Sequence, residues 1–363
     1  MRTFVNACRH DYMKRFLASC ACVALLSSCG AGSEMTMTGP QESTFPADEW
    51  EKGVIPEFVD RESLRQRIDP ELQLYEDAPA VQSAVVVYRG RIIYERYSPL
   101  YTRNTVARSY SIAKSILFAA IGVAVDQGLI QLADTRLSPI WSNSDPRSKI
   151  SVENMLHMES GLEWDEDWDT GDPLQLVKHP SGAASFAAEK RLLSSPGSNF
   201  NYSTGNSAIL AAYLTLKVGG PAALEMMLKK HLFTPLGMTS TELSLDKTGI
   251  WVGGVGANST PRDFARFGWL FANNCVWNEK RILSSRWCDL AFRSAKTTSE
   301  YGSHWWKVEP DTLSALGLYG QAIVVNKKLE TVVVVNSSPG SDQDAGFGLA
   351  LNLVKEISPF ANR

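Results

Sequence analysis

The 363-residue sequence has few of the residues that build metal centres or nucleic-acid surfaces. It contains 5 histidines and 6 cysteines, which form no cluster with aspartates, so we predict no metal site and no cofactor. The 36 lysines and arginines form no basic stripe and the formal net charge is −3, which argues against nucleic acid as a partner. The apolar run near the N-terminus is too short to span a bilayer, and internal repeats are lacking. Function must therefore be inferred from individual motifs.

The N-terminal residues have the pattern of a secretory signal. The basic residues Lys14 and Arg15 precede the apolar run 16–26, and small residues then lead to Cys29. The ending Leu-Ser-Ser-Cys resembles the bacterial lipobox. That resemblance implies that residues 1–28 are removed and that Cys29 is lipidated. We therefore expect the chain to be anchored in the bacterial cell envelope, at the periplasmic face of the outer membrane.

The segment after the signal differs in composition from the rest of the chain. Residues 29–50 are rich in small and polar residues and are expected to be a flexible tether, while residues 51–363 form the globular domain. Only Cys275 and Cys288 lie outside the signal region. In an oxidising compartment they either pair or remain as two buried thiols, and the sequence leaves both possibilities open.

Strand patterns occur near both ends of the domain. A hairpin is predicted over 83–97, and two further strands over 320–326 and 331–336. Between them the chain is mostly helical, with a helical lobe expected over about 130–260. This order predicts an α+β fold in which an antiparallel sheet, fed by both ends of the chain, is flanked by helices.

A serine and a lysine stand where a polar stretch becomes a long apolar run. The run from Ile112 predicts a buried helix that starts at Ser111 and has its stop signal at Gly128. Lys114 is three residues from Ser111, so both side chains share one face of that helix. Burial lowers the pKa of a lysine, and a neutral amine beside a serine can take its proton. The N–H groups of the first turn are expected to be free for a developing oxyanion.

Several landmarks follow this pair in a fixed order: 150–162, 232–238 and 260–268. With Ser111 and Lys114, they make the sequence from about residue 80 resemble the penicillin-recognising serine hydrolases. That family includes class C β-lactamases, DD-peptidases, esterases and 6-aminohexanoate-dimer hydrolases. The resemblance implies the β-lactamase/transpeptidase-like fold.

The resemblance also assigns a second catalytic element. The family has a Tyr-x-Asn motif, which Tyr202 matches, whereas Thr204 stands where asparagine is usual. A phenol held near Lys114 can shuttle a proton between the serine and the leaving group. Thr204 is expected to contribute to substrate binding.

The third element of the family is a Lys-Thr-Gly on a strand beside the site. The literal copy at 247–249 comes too early in the chain, so we match the motif to the segment that opens the penultimate strand. Gly317 then takes the place of the glycine, and the N–H of Leu318 would complete an oxyanion hole with the N–H of Ser111. Tyr319 and Gly320, like Gly317, are expected to line the substrate site.

Ala315 stands where the family has the lysine that holds a substrate carboxylate. Because an unpaired carboxylate binds poorly in a buried cleft, this departure favours esters and neutral-flanked amides. The sequence therefore predicts a serine hydrolase that forms an acyl-enzyme on Ser111. A DD-carboxypeptidase or β-lactamase is one alternative, and a catalytically inactive binding lipoprotein on the same fold is another.

Overall fold

The computed structural model describes residues 44–46, 49–75 and 78–358. The predicted signal segment and Cys29 lie outside these residues, so both stay predictions. The predicted tether is too long at its C-terminal end, because residues before 51 already pack on the domain. The ring of Phe45 lies 5.6 Å from that of Trp277 at a tilted angle, and Trp50 is buried beneath the guanidinium of Arg266.

Within the described residues, six strands form one antiparallel sheet. The strands are β1 (Val81–Tyr88), β2 (Arg91–Tyr97), β3 (Trp306–Glu309), β4 (Thr312–Gly317), β5 (Gln321–Asn326) and β6 (Thr331–Ser337). Their order in the sheet is β2-β1-β6-β5-β4-β3. Both ends of the domain supply strands to it, as the sequence predicts. The central strands consist of valine-rich runs and are buried on both faces.

The predicted first hairpin is confirmed. Arg89 and Gly90 join β1 to β2 with φ values of 49° and 75°. Two successive residues with positive φ make the tight turn whose twist matches that of the flanking strands.

The regular secondary structure between β2 and β3 is mostly helical, and helices also precede and follow the sheet. Short strand pairs join 74–75 to 78–79, 242–243 to 257–258, and 276–277 to 280–281. The helices are α1 (Arg61–Ile68), α2 (Ile112–Asp126), α3 (Val152–Leu156), α4 (Asp172–Leu176), α5 (Ala183–Ala188), α6 (Thr204–Val218), α7 (Pro221–Leu228), α8 (Thr234–Leu236), α9 (Pro261–Ala272), α10 (Ser285–Ala291) and α11 (Gln343–Glu356).

Hydrogen-bonded caps fix where several of these helices begin. Ser151 forms a capping box with Asn154 at α3, and Thr260 accepts a hydrogen bond from the N–H of Asp263 at α9. Both starts agree with the sequence. The α2 helix ends at Asp126, two residues before Gly128, whose φ is +73°.

Two hydrophobic cores enclose the sheet. Helices α1 and α11 cover one face, whereas α9 and α2 lie on the other and lead into the helical lobe. Helix α2 therefore joins the sheet to the lobe.

In the described part of the chain, no single helix is long and apolar enough to cross a membrane. Only α6 and the bent segment 221–236 pass that test together, with a 92° angle between them.

Cys275 and Cys288 form a disulfide with their Cα atoms 5.8 Å apart. The bridge connects the segment after α9 to α10. Of the two possibilities that the sequence left open, the structure has the paired one.

Candidate active site

Ser111 caps α2 at the end of a strained turn. Its side chain makes no capping hydrogen bond, and the preceding residue, Tyr110, has a φ of 43°. A bulky residue in the left-handed region is costly, and such strain often accompanies functional sites. The hydroxyl of Ser111 instead accepts a hydrogen bond from Nζ of Lys114 at 2.9 Å.

The expectation of a free first turn is wrong in detail. The N–H of Ile112 donates to the carbonyl of Ser109, and that of Lys114 donates to the carbonyl of Ser111, both at 3.0 Å. These two hydrogen bonds have the i+3 to i spacing of a 3₁₀ helix, and they occupy N–H groups that the sequence led us to expect free. The predicted oxyanion donor on this element is therefore the N–H of Ser111 itself.

The amine of Lys114 is fully buried and lies at the centre of the site. It donates to Ser111 Oγ and Thr204 Oγ1, each at 2.9 Å, and to the carbonyl of Gly254 at 3.0 Å. Burial lowers the pKa of Lys114 from 10.5 to about 8, and the nearby charge of Glu166 acts in the opposite direction. A substantial share of the amine is thus neutral in mildly alkaline solution.

Tyr202 lies against the same amine. Nζ of Lys114 is 4.8 Å from the centroid of the ring of Tyr202, whose side chain is buried. The ring stacks on Trp306 at 5.3 Å and meets the edge of Tyr301 at 5.8 Å. The structure therefore brings together the three residues that the sequence singled out, although the proton-transfer role of Tyr202 stays a prediction.

Thr204 is engaged with the lysine. It begins α6, is fully buried, and accepts the hydrogen bond from Lys114 described above. Its hydroxyl donates to Glu166 Oε1, and its N–H donates to Glu166 Oε2 at 2.8 Å. The predicted contact of Thr204 with substrate stays a prediction.

Glu166 is the residue that the sequence argument missed. Its side chain is 3% exposed, and Oε1 lies 4.0 Å from Nζ of Lys114. The indole N–H of Trp164 donates to Oε2. The local sequence contains four acidic residues between 163 and 167, and no periodic pattern distinguishes this one from its solvent-exposed neighbours.

The end of β4 approaches the nucleophile turn closely. A Cβ added to Gly317 would lie 2.5 Å from the carbonyl oxygen of Ser109, so only glycine permits this contact. Leu318 follows directly and is buried. The segment from Ala315 to Gly317 closes β4, so the expectation that it opens the penultimate strand is wrong. The turn 318–320 intervenes before β5.

Tyr319 and Gly320 occupy different surroundings. The ring of Tyr319 meets that of Tyr110 edge-on at 5.5 Å, beside the nucleophile turn. The carbonyl of Gly320 instead accepts a hydrogen bond from Ser337 and would be 2.0 Å from a Cβ at Gly346 of α11. Of the two predicted substrate contacts, Tyr319 lies nearer the nucleophile, and both stay predictions.

Half-buried aromatic side chains surround the site, and the tryptophans of this region fall into two groups. Trp164 and Trp305 are buried core residues. Trp168 and Trp306 are partly exposed and belong to a cluster centred on Tyr202. The other partly exposed aromatic members of this cluster are Tyr110, Phe200 and Tyr319.

The β-lactamase family profile matches residues 73–353. The chain belongs to the β-lactamase family. It is similar in structure to a candidate 6-aminohexanoate-dimer hydrolase from Bacillus anthracis, with a TM-score of 0.69, 20% identity, and coverage of 87% of this chain and 89% of that one. A candidate β-lactamase from Bacteroides dorei has a TM-score of 0.67 and 18% identity, with 84% and 100% covered. EstCE1, a hydrolase with promiscuous acyltransferase activity, has a TM-score of 0.60 and 17% identity, with 80% and 96% covered.

At these identities the structural similarities establish the fold alone. No protein with curated function matches the sequence. Membership of the β-lactamase family supports a hydrolase, and the residues at the start of α2 fit a serine hydrolase.

The buried lysine predicts a pH-dependent stability. Its pKa is about 8 in the folded protein and 10.5 ordinarily, so between these values the unfolded chain binds more protons. The unfolding free energy of the wild type, minus that of Lys114→Met, should rise by about 3 kcal/mol from pH 8 to pH 10.5. Below pH 8 the difference should be constant. Urea denaturation at several pH values measures it, and a flat difference across the whole range would contradict a depressed pKa.

Proposed function

We propose that the protein hydrolyses an ester or an amide through an acyl-enzyme on Ser111. The observation that carries this proposal is the 2.9 Å hydrogen bond between Ser111 Oγ and the buried amine of Lys114. A nucleophile and a base within hydrogen-bond reach, with the base held by further groups, are the signature of covalent catalysis.

The proposed reaction has two stages. The neutral amine of Lys114 takes the proton as Ser111 Oγ attacks the substrate carbonyl carbon, and the N–H groups of Ser111 and Leu318 hold the oxyanion. Collapse of the tetrahedral intermediate breaks the bond to the leaving group, to which Tyr202 passes a proton while it receives the one that Lys114 took from Ser111. Water then attacks the acyl carbon as Lys114 takes a proton from the water, and the acid is released when the bond to Ser111 Oγ breaks and Lys114 returns that proton to the serine.

The residues around the site favour uncharged substrates. Ala315 is buried at the end of β4 and carries no cation for a substrate carboxylate. The half-buried rings of Trp168, Trp306 and Tyr319 offer apolar surface instead. An ester or a neutral-flanked amide therefore fits better than a β-lactam or a D-Ala-D-Ala terminus, each of which carries a carboxylate. Among the structural neighbours, the name of EstCE1, a hydrolase with promiscuous acyltransferase activity, is compatible with this choice, whereas others are named as a β-lactamase and a penicillin-binding protein.

Covalent labelling tests the nucleophile. A fluorescent fluorophosphonate should label the wild type and leave Ser111→Ala unlabelled, because only an activated serine attacks the phosphorus. Ser244→Ala is the matched control, since this serine has the same spacing to a lysine but follows a two-residue strand instead of standing at the start of a helix. Labelling that persists in Ser111→Ala would refute the assignment, and an unlabelled wild type would favour a binding lipoprotein.

Paired substrates test the preference for neutral groups. A p-nitrophenyl ester and a chromogenic cephalosporin should differ in kcat/KM by about tenfold or more in favour of the ester, since a buried, unpaired carboxylate costs about 1–3 kcal/mol. Steady-state kinetics with both compounds at one pH provide the comparison. Faster turnover of the cephalosporin would instead favour the DD-carboxypeptidase or β-lactamase alternative.

We also propose that the chain is lipid-anchored through Cys29 in the bacterial cell envelope. The lipobox-like sequence supports this, and Thr44, 15 residues after Cys29, donates a hydrogen bond from its N–H to the carbonyl of Arg89 in the domain. Cys29→Ala should shift the protein from the membrane fraction to the soluble fraction, because the acyl chains supply the membrane affinity. Fractionation with Cys20→Ala as the control measures this, and equal membrane retention of both variants would argue against the anchor.

A further inference from the structure

A buried carboxylate contacts the proposed base but has no part in the proposed reaction. Glu166 lies on the loop between α3 and α4, and both of its oxygens accept hydrogen bonds. The donors are the indole N–H of Trp164 and both the N–H and the hydroxyl of Thr204. The two N–H groups bond to Oε2 and the hydroxyl bonds to Oε1, and a carboxylate oxygen can only accept.

The contact with Glu166 determines which way the Thr204 hydroxyl points. A hydroxyl has one hydrogen, and that of Thr204 goes to Glu166. Towards Lys114 the same oxygen can then only accept. The carbonyl of Gly254, the other fixed neighbour of the amine, can also only accept.

This arrangement orients the lone pair of Lys114. A neutral amine has two hydrogens and one lone pair. Thr204 and Gly254 take the two hydrogens, and the lone pair remains for the third neighbour, Ser111 Oγ, at 2.9 Å. This is the geometry in which the amine can receive the serine proton.

The same carboxylate faces the charge that forms when Lys114 accepts a proton. Oε1 of Glu166 lies 4.0 Å from Nζ of Lys114. The other titratable groups packed around the amine are Tyr202, Tyr301 and His304. Burial raises the pKa of Tyr301 well above 10.0 and lowers that of His304 to about 3, so neither is charged at neutral pH. The charge that raises the pKa of Lys114 is that of Glu166.

We propose that Glu166 is a positioning residue of this site. By accepting the hydrogen of the Thr204 hydroxyl, it makes Thr204 an acceptor towards Lys114, so that the lone pair of Lys114 faces Ser111. Its carboxylate also stabilises the positive charge that Lys114 gains on protonation. The inference rests on the proposed function, since it requires Lys114 to act as the base. It extends to this lysine the general arrangement in which a third group orients a base and stabilises its protonated form.

Substitution of Glu166→Gln tests the proposal, because glutamine keeps the size and removes the charge. The matched control is Glu163→Gln on the same loop, where Glu163 is partly exposed and pairs with Arg191. The rates of fluorophosphonate labelling and of ester hydrolysis are measured from pH 5 to pH 10 for the wild type and both variants.

For Glu166→Gln, the ascending limb of both profiles should move to lower pH by about one unit or more, because an opposite charge at this distance raises the pKa of an amine by such an amount. The plateau rate should fall by about tenfold or more as the amine becomes a weaker and less well oriented base. Glu163→Gln should leave both unchanged. The proposal would be overturned if the ascending limb of Glu166→Gln coincided with that of the wild type, or if Glu163→Gln showed an equal shift, even if the plateau rate of Glu166→Gln fell.

A second comparison applies if Glu166→Gln does not fold. Thr204→Ser keeps the hydroxyl that links Glu166 to Lys114, whereas Thr204→Val removes it at similar volume. The serine variant should react about tenfold faster or more than the valine variant, and equal rates would overturn the orienting step. A wild type that is not labelled at all would remove the proposed function itself, whereas a labelled wild type with coincident profiles would remove only the inference about Glu166.

Discussion

The site depends on one constraint, which is that the amine of Lys114 is held without water inside the protein. A buried ammonium is costly unless its hydrogens find acceptors, and a buried neutral amine is useful as a base only if its lone pair faces a proton donor. Three oxygens meet this amine within 3.0 Å, and they come from the start of α2, the start of α6 and the loop at Gly254. Burial lowers the proton affinity of Lys114, and the carboxylate of Glu166 limits how far it falls.

The sheet and the lobe contribute different parts of this arrangement. The sheet fixes the nucleophile end, since β4 closes with Gly317 against the carbonyl of Ser109, and the N–H of Leu318 follows one residue later. The lobe fixes the lysine end, because Thr204 of α6 and the carbonyl of Gly254 accept hydrogen bonds from Lys114, and Glu166 in the loop before α4 accepts one from Thr204. Helix α2 contacts both, so any displacement of the lobe against the sheet would separate Lys114 from Thr204 and Gly254 while leaving the turn at Ser109 against Gly317.

The sequence predicts those features that depend on local periodicity. The spacing of Ser111 and Lys114 on one helix face, the valine-rich hairpins and the capped starts of α3 and α9 all follow from patterns within about ten residues. Glu166 could not be predicted in this way, because its partners are 38 residues further on at Thr204 and 52 residues earlier at Lys114, in a loop with no repeating pattern. The expectation that the segment from Ala315 opens the penultimate strand is wrong because a short buried run does not show where one strand ends and the next begins. The resemblance to a known family implies which catalytic elements meet, whereas the groups that surround them, such as Glu166, required the tertiary structure.

The aromatic cluster connects the chemistry of the base to the shape of the cleft. Tyr202 lies over the amine of Lys114 on one side and stacks on the half-buried ring of Trp306 on the other. The same stack therefore excludes water from the base and presents apolar surface to whatever binds beside Ser111. Since Ala315 supplies no charge for a substrate, binding energy has to come largely from these rings. Substrate preference and base strength are therefore coupled in this site. A substitution that reshapes the aromatic cluster around Tyr202 also changes the burial of Lys114, and the pKa of Lys114 depends on that burial.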